Sequence, residues 1–339
     1  MKTFVFGIRV VVLALCFTAF CRTGPAREVA AEPPPSAGTE STMLKAVKTG
    51  SRIDVTAGDQ YFTAYRSSPE EKHPFFFPVN GPSGASVTSM RNGKYPHHSS
   101  LFIGCDQLNG GNFWQEGLDR GQILSRGAML EKDSGKEIVI SETCDWKGPT
   151  GYPIRDVRRI VISAPSPELR QIDFDITLEA LEAVEIKKTN HSLFSARMDP
   201  DLAPVFGGTL LDAEGRTGEK GTFGNASPWL ACFGSRDGKA VEGLAILQHP
   251  DNPGFPSKWF TRDYGFLSPT PMYWPDEGKS TTIPKGGALR LRYRVLVFSG
   301  TPNEADLPRQ FREYAASAAL DALPADAGRR PQRGAVEVP

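Results

Sequence analysis

The stretch "RQIDFDITLEAL" alternates without a break: Ile172, Phe174, Ile176 and Leu178 fall on one side, Asp173, Asp175, Thr177 and Glu179 on the other. A side-chain period of two belongs to an extended strand with unlike faces and cannot be laid on a helix, whose period is 3.6. "ALRLRYRVLVF" repeats the pattern with Leu289, Leu291, Tyr293, Val295 and Val297. Weaker alternation marks Ile53–Val55, Tyr61–Tyr65, Glu137–Thr143, Arg159–Ser163, Ala183–Lys187 and Val241–Gln248. The 34 glycines and 28 prolines fall between these runs, where turns belong. One helix is expected, at "LPRQFREYAASAAL", with Asn303 or Asp306 as its cap. The chain therefore reads as all-β, a large antiparallel sandwich over residues 44–323 with a short C-terminal helix. The polar face of strands such as 171–181 reads as solvent-facing by default, with a concave binding groove as the alternative.

The ends read differently. Lys2 and Arg9 flank or interrupt an apolar run, Val10–Phe20, that is short for a membrane span and is followed by small residues. Residues 1–31 are thus expected to be a secretory signal peptide, with lipid anchoring through Cys21 or Cys16 as the rival reading. The Pro-, Ser- and Gly-rich residues 32–43 read as a linker and 324–339 as a tail. Export makes the expected location secreted or periplasmic. Past this run no segment is apolar enough to span a membrane.

Lys plus Arg equals Asp plus Glu at 39 each, so no basic surplus recruits nucleic acid or an anionic membrane. Cys105, Cys144 and Cys232 would remain after cleavage; three widely spaced cysteines are not a disulfide framework and read as buried thiols. P-loop, dinucleotide-binding, H-E-x-x-H, C-x-x-C and G-x-S-x-G motifs are all absent.

Four stretches concentrate polar and aromatic residues. "YPHHSSLFIGCDQLNGGNFWQEG" holds His97, His98, Asp106, Asn109, Asn112, Trp114 and Glu116. Tyr95-Pro96 makes its entry extended, so His97 and His98 are expected on opposite faces, one toward a site and one toward the scaffold. Its Gly-Gly reads as a tight turn, and a hairpin bonding only its own backbone is the bland alternative. "KKTNHSLFSARMDPDL" adds His191, Arg197 and Asp199. "LQHPDNPGFPSKWFTRDYGFLSPTPMYWP" reads as a long ordered loop carrying Trp259, Arg262, Tyr264, Tyr273 and Trp274, residue types that stack on sugar rings and bond hydroxyls. "EEKHPFFFPVNGPSG" reads mainly as core, with Lys72 and His73 at its edge.

These stretches resemble the DUF6807 family, often labelled a methane oxygenase. "HHSSLFIGCDQLNGGNFW" is similar to the family's "HHrgLwf…gDVNGvDFW", "NHSLFSARMDPDLAP" to "kegglfgiRmp", "QHPDNPGFPSKWFTRDYG" to "DHPsNPrhPtpWHvRdYGl", and "HPFFFPVNGPSG" to "kPyfyPlrtPdG". The resemblance runs in order from Thr42 to Tyr314. It implies a β-sandwich of the galactose-mutarotase-like supersandwich type. It points to His97, His98, Asp106, Asn109, Trp114, Arg197, Trp259, Arg262 and Tyr264 as positions, and assigns them no settled activity. Gln248 stands where the family often has Asp, Phe260 where it often has His, and His191 where many relatives have Glu or Gly.

The leading expectation is a carbohydrate-active enzyme, an epimerase, lyase or hydrolase. His97 or His98 with His191 would supply imidazoles, and Asp106 or Glu116 a carboxylate. Arg262 would hold a substrate oxygen, and Asn109, Trp114, Arg197, Trp259 and Tyr264 would bind the sugar. The alternatives are a glycan-binding module without catalysis, or a metal-dependent enzyme with two histidines and a carboxylate. No cofactor is required by the sequence and a divalent metal stays open. The expected partner is a carbohydrate or another small polar molecule, with no nucleic acid.

Overall fold

The computed structural model describes residues 41–115, 117–236, 238, 240–272 and 280–320. The expected leader, most of the linker and the tail lie outside them, as do Glu116, Tyr273 and Trp274. Among the described residues the paired strands are antiparallel, and they assemble two large sheets and one small ribbon. The first sheet runs, edge to edge, through Trp259–Arg262, Phe266–Pro269, Ser192–Arg197, Leu101–Cys105, Phe75–Val79, Gln60–Arg66, Arg52–Ala57, Leu44–Thr49 and Ser134–Gly135. The second runs through Thr209–Asp212, Trp229–Ser235, Val241–Gln248, Ala288–Ser299, Leu169–Ala180, Ile154–Ser166, Glu137–Lys147 and Gln122–Ser125, with Met129–Lys132 also paired to Glu137–Lys147. Val184–Lys187 and Ser280–Ile283 form the ribbon.

The alternation read from the sequence sets the core. Ile172, Ile176 and Leu178 from the second sheet meet Ile53, Val55, Leu101 and Ile103 from the first in one buried cluster. The same rule splits the three consecutive phenylalanines: Phe76 enters this core, while Phe75 and Phe77 pack on the other side of their sheet. Cys105, Cys144 and Cys232 are buried free thiols, as expected.

Two faces depart from the solvent default. On the outside of the second sheet, Gln171, Asp173 and Asp175 are buried rather than exposed. Arginines of the neighbouring strand cover them: Arg294 donates to both Asp173 oxygens at 2.7 and 2.8 Å, and Arg290 grips Asp175. The C-terminal helix, Leu307–Ala315, lies over the same side. Asp306 caps it by accepting from the Arg309 N–H, and Leu307, Gln310 and Tyr314 are its buried residues. Past the helix, the Ser317 and Ala318 carbonyls accept from Arg292.

The second departure is inside. Strand Ile154–Ser166 sends Asp156 and Arg158 into the core in phase with Ile154, Ile160 and Ile162. Arg158 donates to both Asp156 oxygens at 2.7 and 2.8 Å, and the Trp146 indole donates to the same carboxylate at 2.7 Å. Tyr65 donates to Glu142, whose other oxygen accepts from Ser125 at 2.5 Å. Buried charges persist only when paired and hydrogen-bonded, and every member here is.

Candidate functional site

Outside the first sheet, alternation lays down an aromatic floor. Strand Leu101–Cys105 turns Leu101, Ile103 and Cys105 to the core and leaves Phe102 and Gly104 on the outer side. Likewise Trp259 enters the core while Phe260 and Arg262 face out, and Leu267 enters while Phe266 faces out. Phe75, Phe102, Trp114, Phe260 and Phe266 form one buried cluster edged by Tyr264. The chain after Asp106 turns back through Asn109 and Gly110, both with positive φ, and lies on the outer side of the strand it has just left. Gly104 permits this: a Cβ there would stand 2.9 Å from the Phe113 carbonyl oxygen and 3.5 Å from Trp114 Cα.

On this floor sits an oriented imidazole. Asp106 follows the end of Leu101–Cys105 and His191 precedes the start of Ser192–Arg197. Those two strands are paired, with Ser192 opposite Cys105, so residues far apart in sequence become neighbours. His191 Nδ1 lies 2.9 Å from Asp106 Oδ2. The Thr189 hydroxyl donates to the other carboxylate oxygen and accepts from the His191 N–H at 2.9 Å. The carboxylate thus fixes the ring and selects the tautomer with its proton on Nδ1, leaving Nε2 for other work. His191 keeps 27% of its side chain exposed while Asp106 keeps 7%. Trp114 and Phe260 flank the ring, at centroid distances of 5.2 and 5.8 Å.

His97 and His98 do not sit in an extended segment. The His98 N–H donates to the Tyr95 carbonyl at 3.2 Å, closing a turn that brings the two rings edge-on at 4.4 Å. The two rings differ in burial: His97 is half-buried and His98 is buried at 4% exposure. Tyr95 and Phe266 stack on the His98 ring at 5.0 and 4.6 Å, and its Nδ1 has no partner. Burial, with His97 and Arg197 nearby, holds His98 down to about 2, so its ring is neutral near pH 7. Burial and the nearby His191 lower His97 as well.

Arg197 ends the row. Its guanidinium lies over the Tyr264 ring at 4.7 Å and the Tyr95 ring at 5.6 Å, and donates to the Tyr264 carbonyl. Tyr95 and Tyr264 stack at 4.3 Å, and burial beside Tyr95 pushes the Tyr264 phenol up to about 12. Together they line a cleft of about 690 Å³ with Lys94, Val205, Phe206, Glu219 and Asp263.

The other expected positions separate. Asn109 spends its amide on backbone, donating to the Ala183 carbonyl at 2.9 Å and accepting from the Glu185 N–H at 2.8 Å, which makes it scaffold. Trp259 is a core residue that donates to the Ser227 carbonyl at 2.8 Å. Trp114 is fully buried beneath His191 and offers no stacking face to a ligand. Arg262 stands at the far edge, over the Phe260 and Phe223 rings and paired with Glu219 at 2.9 Å. The stretch expected to be a long loop contains a hairpin, Trp259–Arg262 with Phe266–Pro269, closed at Gly265. His73, at the edge of the Phe run, is buried and stacked on Phe102 at 4.6 Å with both ring nitrogens unpartnered. Tyr95 and Thr189 were not singled out from the sequence. Their signal was proximity alone, two residues before His97 and two before His191. Among the described residues no three His, Cys, Asp or Glu side chains group closely enough to hold a metal ion. Among the same residues no helix is long and apolar enough to cross a membrane.

A model described as a family of unknown function, DUF6807, matches residues 52–312. No curated protein matches by sequence. Among solved structures, the chain is similar to the galactosidase domain of an alpha-galactosidase-sucrose kinase, AgaSK, at 9% identity and a TM-score of 0.33, covering 76% of this chain and 40% of that one. It is also similar to a galactose mutarotase related enzyme from Lactobacillus acidophilus, at 11% identity and a TM-score of 0.29, covering 76% of this chain and 97% of that one. At these scores the sandwich rests on the strand pairing described above. The chain spans 40% of the AgaSK chain's length.

Proposed function

The chain belongs to the DUF6807 family, and from the geometry of its outer-face site we propose that it is an exported carbohydrate-active enzyme working by acid–base chemistry. The observation that carries this is His191, held through Nδ1 by the buried Asp106 with its ring partly open to solvent. Such a pair moves protons: Nε2 takes one from the substrate, and Asp106 stabilises the imidazolium that results. The imidazolium so formed returns the proton to the leaving oxygen or the reacting carbon, while His97, kept neutral near pH 7 by burial and the neighbouring His191, donates its ring N–H to a substrate oxygen. One oriented imidazole and a second nearby are what an epimerase, lyase or hydrolase of sugars needs at the reacting carbon. The half-buried Tyr95 and Tyr264 supply the flat surface on which a pyranose packs. Export, to a secreted or periplasmic location, is supported by the apolar run Val10–Phe20.

The test is turnover of a glycan and free-sugar panel by wild type, His191→Gln and Asp106→Asn, with products read by mass spectrometry. Removing the proton-transfer group should lower kcat by about 10²- to 10⁴-fold. Absence of turnover by wild type, or variants as fast as wild type, counts against the reading. A second reading, glycan binding without catalysis, is favoured by the Tyr95–Tyr264 stack alone; saturable binding by calorimetry with no product would select it.

A further inference from the structure

Arg197 has an uncommon combination of burial and isolation. Its side chain is 3% exposed, yet among the described residues no carboxylate lies within ion-pair reach of it. Among the described residues the one acceptor of its side chain is a neutral carbonyl, that of Tyr264, and its Nε is buried without a partner. A guanidinium cannot escape by shedding its proton, and a buried charge is costly unless an opposite charge meets it. The two tyrosine faces offset part of that cost but present no anion.

The acids nearby are committed elsewhere. Glu219 pairs with Arg262 at 2.9 Å and accepts from the Asp263 N–H at 3.1 Å. Asp263 in turn accepts from the Glu219 N–H at 2.7 Å. Asp199 accepts from the Asp201 N–H at 3.1 Å and has Arg236 at 3.9 Å. The cleft's charged lining therefore balances in number, Lys94 and Arg197 against Glu219 and Asp263, while its acids are spent and Arg197 is not.

A separate observation shows that the cleft also has apolar walls. Val205 and Phe206, on the short turn Pro204–Phe206, are 57% and 66% exposed and line the same space as Tyr95 and Tyr264. Large side chains left this open around a cleft are what a ligand covers.

We infer that this cleft recognises a sugar carboxylate, so that the substrate is an acidic saccharide of the uronate type. This rests on the carbohydrate reading for the ring and goes beyond it in assigning the charge. The guanidinium meets a carboxylate in sign, through the N–H groups that the Tyr264 carbonyl does not use. The apolar face of the pyranose packs between the tyrosines and Phe206.

The experiment measures binding, so it does not depend on finding the reaction. Calorimetry or ligand-observed NMR on the full chain compares galacturonate and glucuronate trisaccharides with galactose and glucose trisaccharides, with acetate and with galactose 6-phosphate. The acidic trisaccharides should bind at least ten-fold more tightly than the neutral ones, with an advantage that shrinks in salt. Arg197→Gln should remove that preference, and Arg197→Lys should keep part of it, each read on protein shown by its melting transition to be folded. Should either variant unfold, the wild-type comparison and its salt dependence decide alone. Equal binding of acidic and neutral sugars, or tighter binding of galactose 6-phosphate, overturns the inference and leaves the acid–base reading standing. Acetate binding as well as the uronates supports the anion site and removes the sugar from both readings.

Discussion

Acid should destabilise this protein well above the pH at which an ordinary carboxylate takes up its proton, and two buried histidines set the size of the effect. His73 and His98 are 1% and 4% exposed. His73 has no partner at either ring nitrogen, and His98 has none at Nδ1. Burial holds them down to about 3 and about 2, against the ordinary 6.5 of the unfolded chain. The unfolded chain therefore binds two protons between pH 6.5 and about 3 that the native state refuses. Stability is full above pH 6.5 and falls as the pH drops below it. Each histidine costs about 1.36 kcal/mol per pH unit below 6.5, so at pH 5 the pair removes about 4 kcal/mol. A domain holds about 5–15 kcal/mol in all, so the loss is a large fraction of the whole. His97 and His249, also lowered by burial, push in the same direction. The carboxylates with lowered values, Asp54, Glu131, Glu304 and Asp306, start from ordinary values of 3.8 to 4.5, so their contribution is lost mainly below about pH 5. Urea denaturation at pH 7.5, 6.5, 5.5 and 5.0 reads the effect as a falling midpoint at constant slope. His73→Phe, which keeps a ring against Phe102, should remove about half of the pH dependence. A midpoint that stays flat from pH 7.5 to 5.0, or a His73→Phe protein with the wild-type dependence, would refute the burial argument.

Arg158→Met should destabilise the protein by about 3–5 kcal/mol, because Asp156 and Glu142 are then left charged in the core; replacing all three with apolar residues of similar volume should recover most of the loss by the same denaturation measurement. Gly104→Ala should cost about 1–3 kcal/mol and shift the tryptophan emission, since the new methyl meets the Phe113 carbonyl under Trp114. Asn109→Ala should cost about 0.5–1.5 kcal/mol by removing its hydrogen bonds to the Ala183 carbonyl and the Glu185 N–H, which are exposed enough for water to take over, and hydrogen exchange should accelerate at Val184–Lys187.

The strands were legible because alternation is local. The reading at 241–248 coincides with strand Val241–Gln248, and that at 171–181 with Leu169–Ala180 to within two residues. The C-terminal helix was legible from Asp306 and its run of helix formers. Alternation says which residues share a face but not what covers that face. Asp173 and Asp175 looked solvated until Arg294 and Arg290 of the partner strand crossed over them. Asp156 and Arg158 share the phase of Ile154 and Ile160, so their core placement was written in the pattern. Charge argued against it, and only the pairing with Glu142 and Tyr65 made burial tolerable. At the site, the sequence offers His191 and Asp106 as separate candidates, 85 residues apart. Their contact depends on the register that sets Ser192 opposite Cys105, which no local pattern contains. The turn at Tyr95–His98 was missed because the residue before a proline predicts extension at that residue only. Trp259 was read as a ligand platform by its company of Arg and Tyr, but strand phase sends it inward and sends Phe260 out.

The three buried thiols can act as built-in clocks for opening. Burial raises each above its ordinary range, so none offers a reactive thiolate while the surrounding structure is closed. Cys105 sits in the first sheet beside Asp106; Cys144 and Cys232 sit in two different strands of the second. Alkylation by a fast reagent, resolved by peptide mass, would time the three places separately in unmodified protein. Equal rates would mean that the sandwich opens only as a whole. A faster Cys105 would mean that the strand carrying the site breathes on its own.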